Sequence, residues 1–213
     1  MAKLRVDKIA APIVKDEFTG SVYFDGTGDY LQMPDSSDFA FGAEDYSIEL
    51  WIYSRTLSAI QRIFGQRAAD AGSIQMLLET SASGVLSYYF SIGDSSTQLG
   101  TTAVTQINTW HHIAITRLSG THTLYVDGVS VATNSTSGSL DDRAEPFSIG
   151  RQGDFTSNNF NGYISNFRIC KGHAVYTGNF TVPTRELPVH TGPPKGIVFP
   201  AADNRTVLLA CQS

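Results

Sequence analysis

Charge is scarce in this sequence. Asp, Glu, Lys and Arg make up 16% of the 213 residues, against about a quarter in an average soluble domain. The net charge of −5 excludes a nucleic-acid binder that works by neutralising phosphates. No run approaches the roughly 20 apolar residues of a membrane helix. Cysteine is also rare: Cys170 and Cys211 belong to no CxxC or Cys/His cluster with zinc spacing, which excludes a structural zinc site. Each closes an apolar strand-like run, "ISNFRIC" and "TVLLAC". They read as buried free thiols, with a disulfide between them as the alternative. The N-terminal stretch "MAKLRVDKIAAPIVKDEF" lacks the apolar core and cleavage site of a signal peptide. Synthesis in a cytoplasm is therefore expected, and the sequons at Asn134, Asn179 and Asn204 read as chance matches.

Helical periodicity is missing too. The apolar residues, 41% of the chain with 19 glycines between them, alternate with period two. Ile48, Leu50 and Ile52 share one face of "YSIELWIY", and Glu49, Trp51 and Tyr53 the other. "SVYF", "YLQM", "GVLSYYFSI", "HHIAITRL", "THTLYVDG", "VSVAT", "FSIGR" and "GYISNFRI" continue the series, which indicates an antiparallel sandwich or jelly roll. Between Ile164 and Phe167 the apolar parity slips by one residue, predicting a β-bulge near Ser165 or Asn166. "GHAVYTGNF" is the one plausible helical turn. Residues 1–20 read as an arm and 21–180 as the sandwich. Residues 181–213 form a connector and a last strand, since 181–200 hold five of the eight prolines and cannot enter a central strand.

Three of the five histidines fall in "TWHHIAITRLSGTHTLYVDGVS", from Thr109 to Ser130. Neighbouring strand residues point to opposite faces, so His111 and His112 cannot share a metal. Asp127-Gly128 between apolar runs marks a hairpin, and the stretch reads as scaffold. Nucleophile-elbow, phosphate-loop and zincin motifs are absent. Glu49 has no acidic partner at i+2, and Asp141, Asp142 and Glu145 fall in turn-like sequence, so the paired carboxylates of a glycosidase are not recognisable. Trp51, Tyr53, Tyr88, Tyr89, Tyr125 and Tyr163 are the strand aromatics considered for sugar stacking.

"NTWHHIAITRLSGTHTLYVDGVSVAT" resembles the central hairpins of laminin G-like, concanavalin A-like sandwich domains. "SVYFDGTGDYLQMP", "DYSIELWIYSR" and "FNGYISNFRICKG" resemble their opening, second and closing strands. The resemblance covers about residues 21–180 and implies an all-β, two-sheet antiparallel β-sandwich. "ISNFRICKGHAVYTGNFTVPTREL", "TVLLACQ" and "LRVDKIAAPI" are similar to laminin G-like virion proteins of tailed phages, marine and cyanobacterial ones especially.

That likeness implies a non-enzymatic virion protein: a capsid decoration (cement) or head-fibre subunit on the capsid surface or tail. Its arm, with Lys3, Arg5 and Lys8, would clasp the major capsid protein or another virion protein, and a homo-oligomer, a trimer, is expected. The alternative is a host-recognition lectin module that binds cell-surface glycan. Calcium is the only cofactor implied. Its candidates are Asp154, Asn158 and Asn159, while Asp25 and Asp29 read as turn formers.

Overall fold

The computed structural model describes residues 5–7, 20–67, 74–153, 156–185, 187 and 205–212. Among them there is no helix. Strands β1 (Arg5–Asp7), β2 (Ser21–Asp25), β4 (Tyr46–Ser54), β9 (Trp110–Leu118), β10 (Thr121–Val126), β11 (Val129–Ser135), β13 (Asn161–Lys171) and β14 (Arg205–Ala210) form an eight-stranded sheet. Its order is β1-β2-β13-β4-β9-β10-β11, with β14 also on β13. Strands β3 (Leu31–Met33), β5 (Gln61–Arg67), β6 (Ile74–Thr80), β7 (Val85–Ile92), β8 (Ser95–Val104) and β12 (Phe147–Ile149) form a six-stranded sheet in the order β3-β12-β5-β6-β7-β8. All pairings between named strands are antiparallel. This is the sandwich that the period-two pattern predicts.

The core lies between the sheets. Val22, Phe24, Ile48, Leu50, Ile52, Ile113, Ile115 and Leu124 project from the larger sheet, and Phe64, Met76, Leu78, Phe90, Phe147 and Ile149 from the smaller. Burial of these side chains supplies the main driving force, about 1.5–3 kcal/mol for each large apolar residue. The turn at Asp127 and Gly128 has positive φ at both positions, 50° and 79°, the signature of a tight hairpin turn.

The parity slip in β13 is a bulge. Ser165 pairs with Trp51 and Arg168 with Glu49, so Asn166 and Phe167 together oppose Leu50. Asn166 takes φ 50°. Its Nδ2 donates to Ser165 Oγ, its Oδ1 accepts from Gln212 Nε2, and its backbone N–H donates to the Cys211 carbonyl. Below the bulge β13 pairs with β2, and above it with β14.

The segment "GHAVYTGNF" is not helical; residues 172–185 form a strap across the outer face of the larger sheet. Ser47 Oγ donates to the His173 carbonyl and accepts from the Val175 N–H, and the Phe180 N–H donates to the Gly128 carbonyl. Tyr176 and Phe180 stack at 3.5 Å. A side chain at Gly128 would collide with the Phe180 carbonyl, so the strap demands glycine there. Cys170 and Cys211 are both buried free thiols, and the disulfide alternative is not realised.

His122 is fully buried, stacked on Phe90 at 3.8 Å, with Nδ1 3.1 Å from the Tyr46 hydroxyl. Burial, aided by the charge of Arg117, pushes its pKa down from 6.5 to about 3. The folded protein thus binds fewer protons than the unfolded chain between those values, so this stability is complete above pH 6.5 and lost as pH falls toward 3. Urea denaturation should show stability falling with acid by up to about 1.4 kcal/mol per pH unit from this group. The His122→Gln variant should show a shallower acid slope.

Candidate functional site

The first place to look for chemistry is the acidic residue on the outer face of β4. Glu49 is 1% exposed, because the strap lies over it. Its Oε1 accepts from Arg168 Nε at 2.8 Å and from Arg168 Nη2, and its Oε2 accepts from the Tyr176 hydroxyl at 2.7 Å. His112 Nε2 lies 3.3 Å from the same Oε2. Burial opposes ionisation, but His112, Arg168 and Tyr176 outweigh it and hold the carboxyl below its ordinary range. Burial and the Glu49 charge push the Tyr176 hydroxyl well up. The partners of this carboxylate are basic groups and a phenol, which makes the cluster an internal clamp between sheet and strap.

The histidines are dispersed, as strand geometry requires. His111 Nδ1 sits 2.8 Å from Asp127 Oδ2, and its Nε2 accepts from the Gln106 N–H. His112 is under the strap and His122 in the core. Among the described residues no group of three or more His, Cys, Asp or Glu side chains converges to hold a metal.

The loop end of the sandwich is different. Asp25 Oδ1 accepts from the N–H groups of Thr27 and Gly28, and its Oδ2 from the Thr27 hydroxyl. These bonds, Gly28 first, lower its pKa to about 2. Asp25 is therefore a turn former, its oxygens spent on its own loop. The second predicted loop docks against it: Asn159 Nδ2 donates to the Thr27 carbonyl at 3.0 Å and Asn161 Nδ2 to the Asp25 carbonyl at 3.2 Å. Gly26, with φ +80°, leaves no room for a Cβ beside Asn161.

Calcium requires several oxygen ligands, usually with free carboxylates. Here the described residues offer the amides of Asn158 and Asn159. Asp154 falls outside the described residues, as do Lys3 and Lys8. Arg5 lies in β1, opposite Tyr23.

Between these loops and the turn after β4 lies an open depression of about 260 Å³. It is lined by Gly26, Thr56, Ser58, Ala59, Ile60, Gln61, Asn158, Asn159 and Asn161. Among the described residues no lining side chain is charged. Ile60 is 44% exposed, and Asn159 is 8% exposed. Its Oδ1 is buried and has no donor among the described residues, an arrangement that costs about 1–3 kcal/mol unless something supplies one.

Beside the depression, the outer face of the larger sheet carries a row of aromatic rings. Tyr23, Tyr163, Tyr53 and Trp110 are direct cross-strand neighbours on β2, β13, β4 and β9. Successive ring centroids are 5.1, 5.9 and 5.4 Å apart, and all four side chains are partly exposed. Arg55 Nη1 donates to the Tyr23 hydroxyl at 3.2 Å. Of the aromatics considered from sequence, Tyr53 and Tyr163 belong to this row. Tyr88 is in the core, Trp51 and Tyr125 are buried on the strap side, and Tyr89 donates to Glu79. Tyr23, Trp110 and the 56–61 turn were not among the sugar-binding candidates that the sequence offered. Only strand register reveals the row.

Residues 25–174 match a family model described as the concanavalin A-like lectin/glucanases superfamily. No curated protein sequence matches the chain. Among solved structures, domain 4 of AbnA, an extracellular arabinanase from Geobacillus stearothermophilus in complex with arabinotriose, aligns with TM-score 0.58 at 17% identity, over 81% of this chain and 77% of that one. The CBM40 of the Ruminococcus gnavus IT-sialidase, bound to α2,3-sialyllactose, aligns with TM-score 0.58 at 12% identity, over 74% and 91%. Mouse laminin α1 chain domains LG4-5 align with TM-score 0.50 at 21% identity, over 70% of this chain and 40% of that one. These likenesses establish the two-sheet fold.

The clamp predicts a stability effect. Glu49→Ala strands Arg168 without its carboxylate and should cost about 3–5 kcal/mol in urea denaturation, while a joint Glu49→Leu, Arg168→Met replacement should recover most of it.

Proposed function

Because the chain belongs to the concanavalin A-like lectin/glucanases superfamily, we propose that it is a non-enzymatic carbohydrate-binding module whose ligand enters the depression at the loop end. The observation that carries this reading is Asn159 Oδ1, a buried acceptor with no donor among the described residues, in a depression of amides and hydroxyls. A sugar hydroxyl is the donor that suits it. The uncharged lining suits a neutral polyol, and the exposed Ile60 offers an apolar contact for a sugar ring. Two neighbours on the same fold hold saccharides, which makes this the ligand class to test first.

Glycoside hydrolysis needs two carboxyl groups flanking the scissile bond. Among the described residues the depression has none on its lining, and Glu49 is sealed beneath the strap among basic partners. Binding without turnover is the reading that fits.

A second reading sets the same module on a virion. Its support is the likeness of "ISNFRICKGHAVYTGNFTVPTREL" to tailed-phage virion domains, now seen as the end of β13 and the strap. A further support is the place of Arg5–Asp7 as the outermost strand beside β2, where a strand from a neighbour would extend the same sheet. On this reading the protein is a capsid decoration or head-fibre subunit, made in the host cytoplasm, trimeric, and attached to the major capsid protein or another virion protein. Native mass spectrometry should return three chains, and immunogold labelling should place copies regularly over the head. A monomer, or label confined to one vertex, contradicts it.

Ala59 is exposed on the lining, so Ala59→Trp should fill the depression without disturbing the fold. Calorimetric titration should show saccharide binding by the parent chain and at least about a tenfold loss in this variant. Asn159→Ala should lose a comparable amount.

A further inference from the structure

We propose that the Tyr23–Tyr163–Tyr53–Trp110 row is an extended subsite, so that the protein binds an internal stretch of a linear polysaccharide running from the depression across the outer face. This rests on the carbohydrate-binding reading above and names its substrate class: a chain of several sugars, not a terminal residue.

The row is continuous with the depression. Tyr163 lies two residues along β13 from Asn161, which lines the depression, and Tyr53 lies three residues before Thr56, which lines it as well. Tyr23 precedes Gly26 by three residues on the third lining segment. The Arg55 N–H donates to the Asn161 carbonyl, joining two of these segments. Among the described residues, depression and row therefore form one surface with no intervening wall of secondary structure.

The chemistry of the row fits the same ligand. Partly exposed tyrosine and tryptophan present an apolar ring with a polar tip, matching the C–H faces and hydroxyls of a pyranose. Trp110 Nε1 is itself buried, with no acceptor among the described residues, so the partly exposed ring is what Trp110 offers, and Tyr23 already carries a donor in Arg55. The rings run perpendicular to the strands, one per strand, since each pair sits in direct register. A linear ligand can thus meet all four in turn. The strap takes up another part of this face, burying Trp51, Tyr125 and His112, and leaves the row partly open.

The experiment compares hexasaccharides (cello-, xylo-, manno- and chitohexaose) with the matching disaccharides on the full chain, by calorimetry and by tryptophan fluorescence. Trp51 is buried and Trp110 is in the row, so a fluorescence change on adding hexasaccharide that vanishes in Trp110→Phe reports the row directly. At least one hexasaccharide should bind about tenfold or more tighter than its disaccharide, and Tyr53→Ala should erase that gain while leaving disaccharide affinity within about twofold. Equal affinity for both lengths, with Ala59→Trp still abolishing it, overturns the row and leaves the depression standing. No binding by any member overturns both. A Tyr53→Ala variant that keeps its binding but changes its mass in solution assigns the row to contact with a second copy and also overturns the proposal.

Discussion

Two residues of β13, Asn166 and Phe167, face a single residue of β4, and the rest of the architecture follows from that insertion. Without it, strict alternation would carry Phe167 and Ile169 to the outside and Arg168 into the core. With it, Ile164, Phe167 and Ile169 all enter the core, while Tyr163 and Arg168 both face outward. The left-handed backbone at Asn166 is tolerated because asparagine enters that region more readily than most residues. Its side chain is tied into Ser165, Leu187 and Gln212. The bulge also divides the edge of β13, giving β2 one half and β14 the other.

What stands on either side of the bulge has opposite character. Toward the end of β13 the outward residue is Arg168, and it requires a buried counter-charge. Isolated, a buried guanidinium would be prohibitive; Glu49, backed by Tyr176 and His112, makes it tolerable. Such a network adds little net stability compared with apolar packing, but breaking it is costly. The strap is thereby held in one position by Tyr176 and Phe180. Toward the start of β13 the outward residue is Tyr163, in a layer that the Glu49–Arg168 clamp does not reach. The covered and open parts of one sheet face come from one register decision.

Much of this could be read in the residues. Alternation located β2, β3, β4, β7, β9, β10, β11, β12 and β13, the last strand was placed at β14, the Asp127-Gly128 turn was correct, and the parity slip placed the bulge. Four strands escaped: β1, which had been read as part of the arm, and three in the smaller sheet, for physical reasons. In β6, Gln75 is as buried as Met76 and Leu78 because its amide bonds the Phe39 carbonyl and the Arg143 N–H, so alternation vanishes. In β5, buried Gln66 does likewise. In β8, Ser and Thr dominate, and among the described side chains Leu99 alone marks the core face. The segment "GHAVYTGNF", expected as a helical turn, is part of the strap, where Tyr176 and Phe180 stack on each other. The candidate site was legible only in part. Asn158 and Asn159 were noticed as metal candidates, while the aromatic row depends on pairing between strands more than a hundred residues apart in sequence and no local pattern encodes it.

The account assigns the outer face two roles: a sealed ionic clamp that holds the strap, and an open layer of amides and aromatic rings that takes a saccharide. Backbone amide shifts of the labelled protein, followed by NMR during titration with a hexasaccharide that binds, test this division most directly. The account predicts shifts at residues 23–28, 53–61, 110 and 158–163, with Glu49, Arg168 and Tyr176 unmoved. Shifts centred on Glu49, His112 and Tyr176, or on the outer face of the six-stranded sheet, would contradict it.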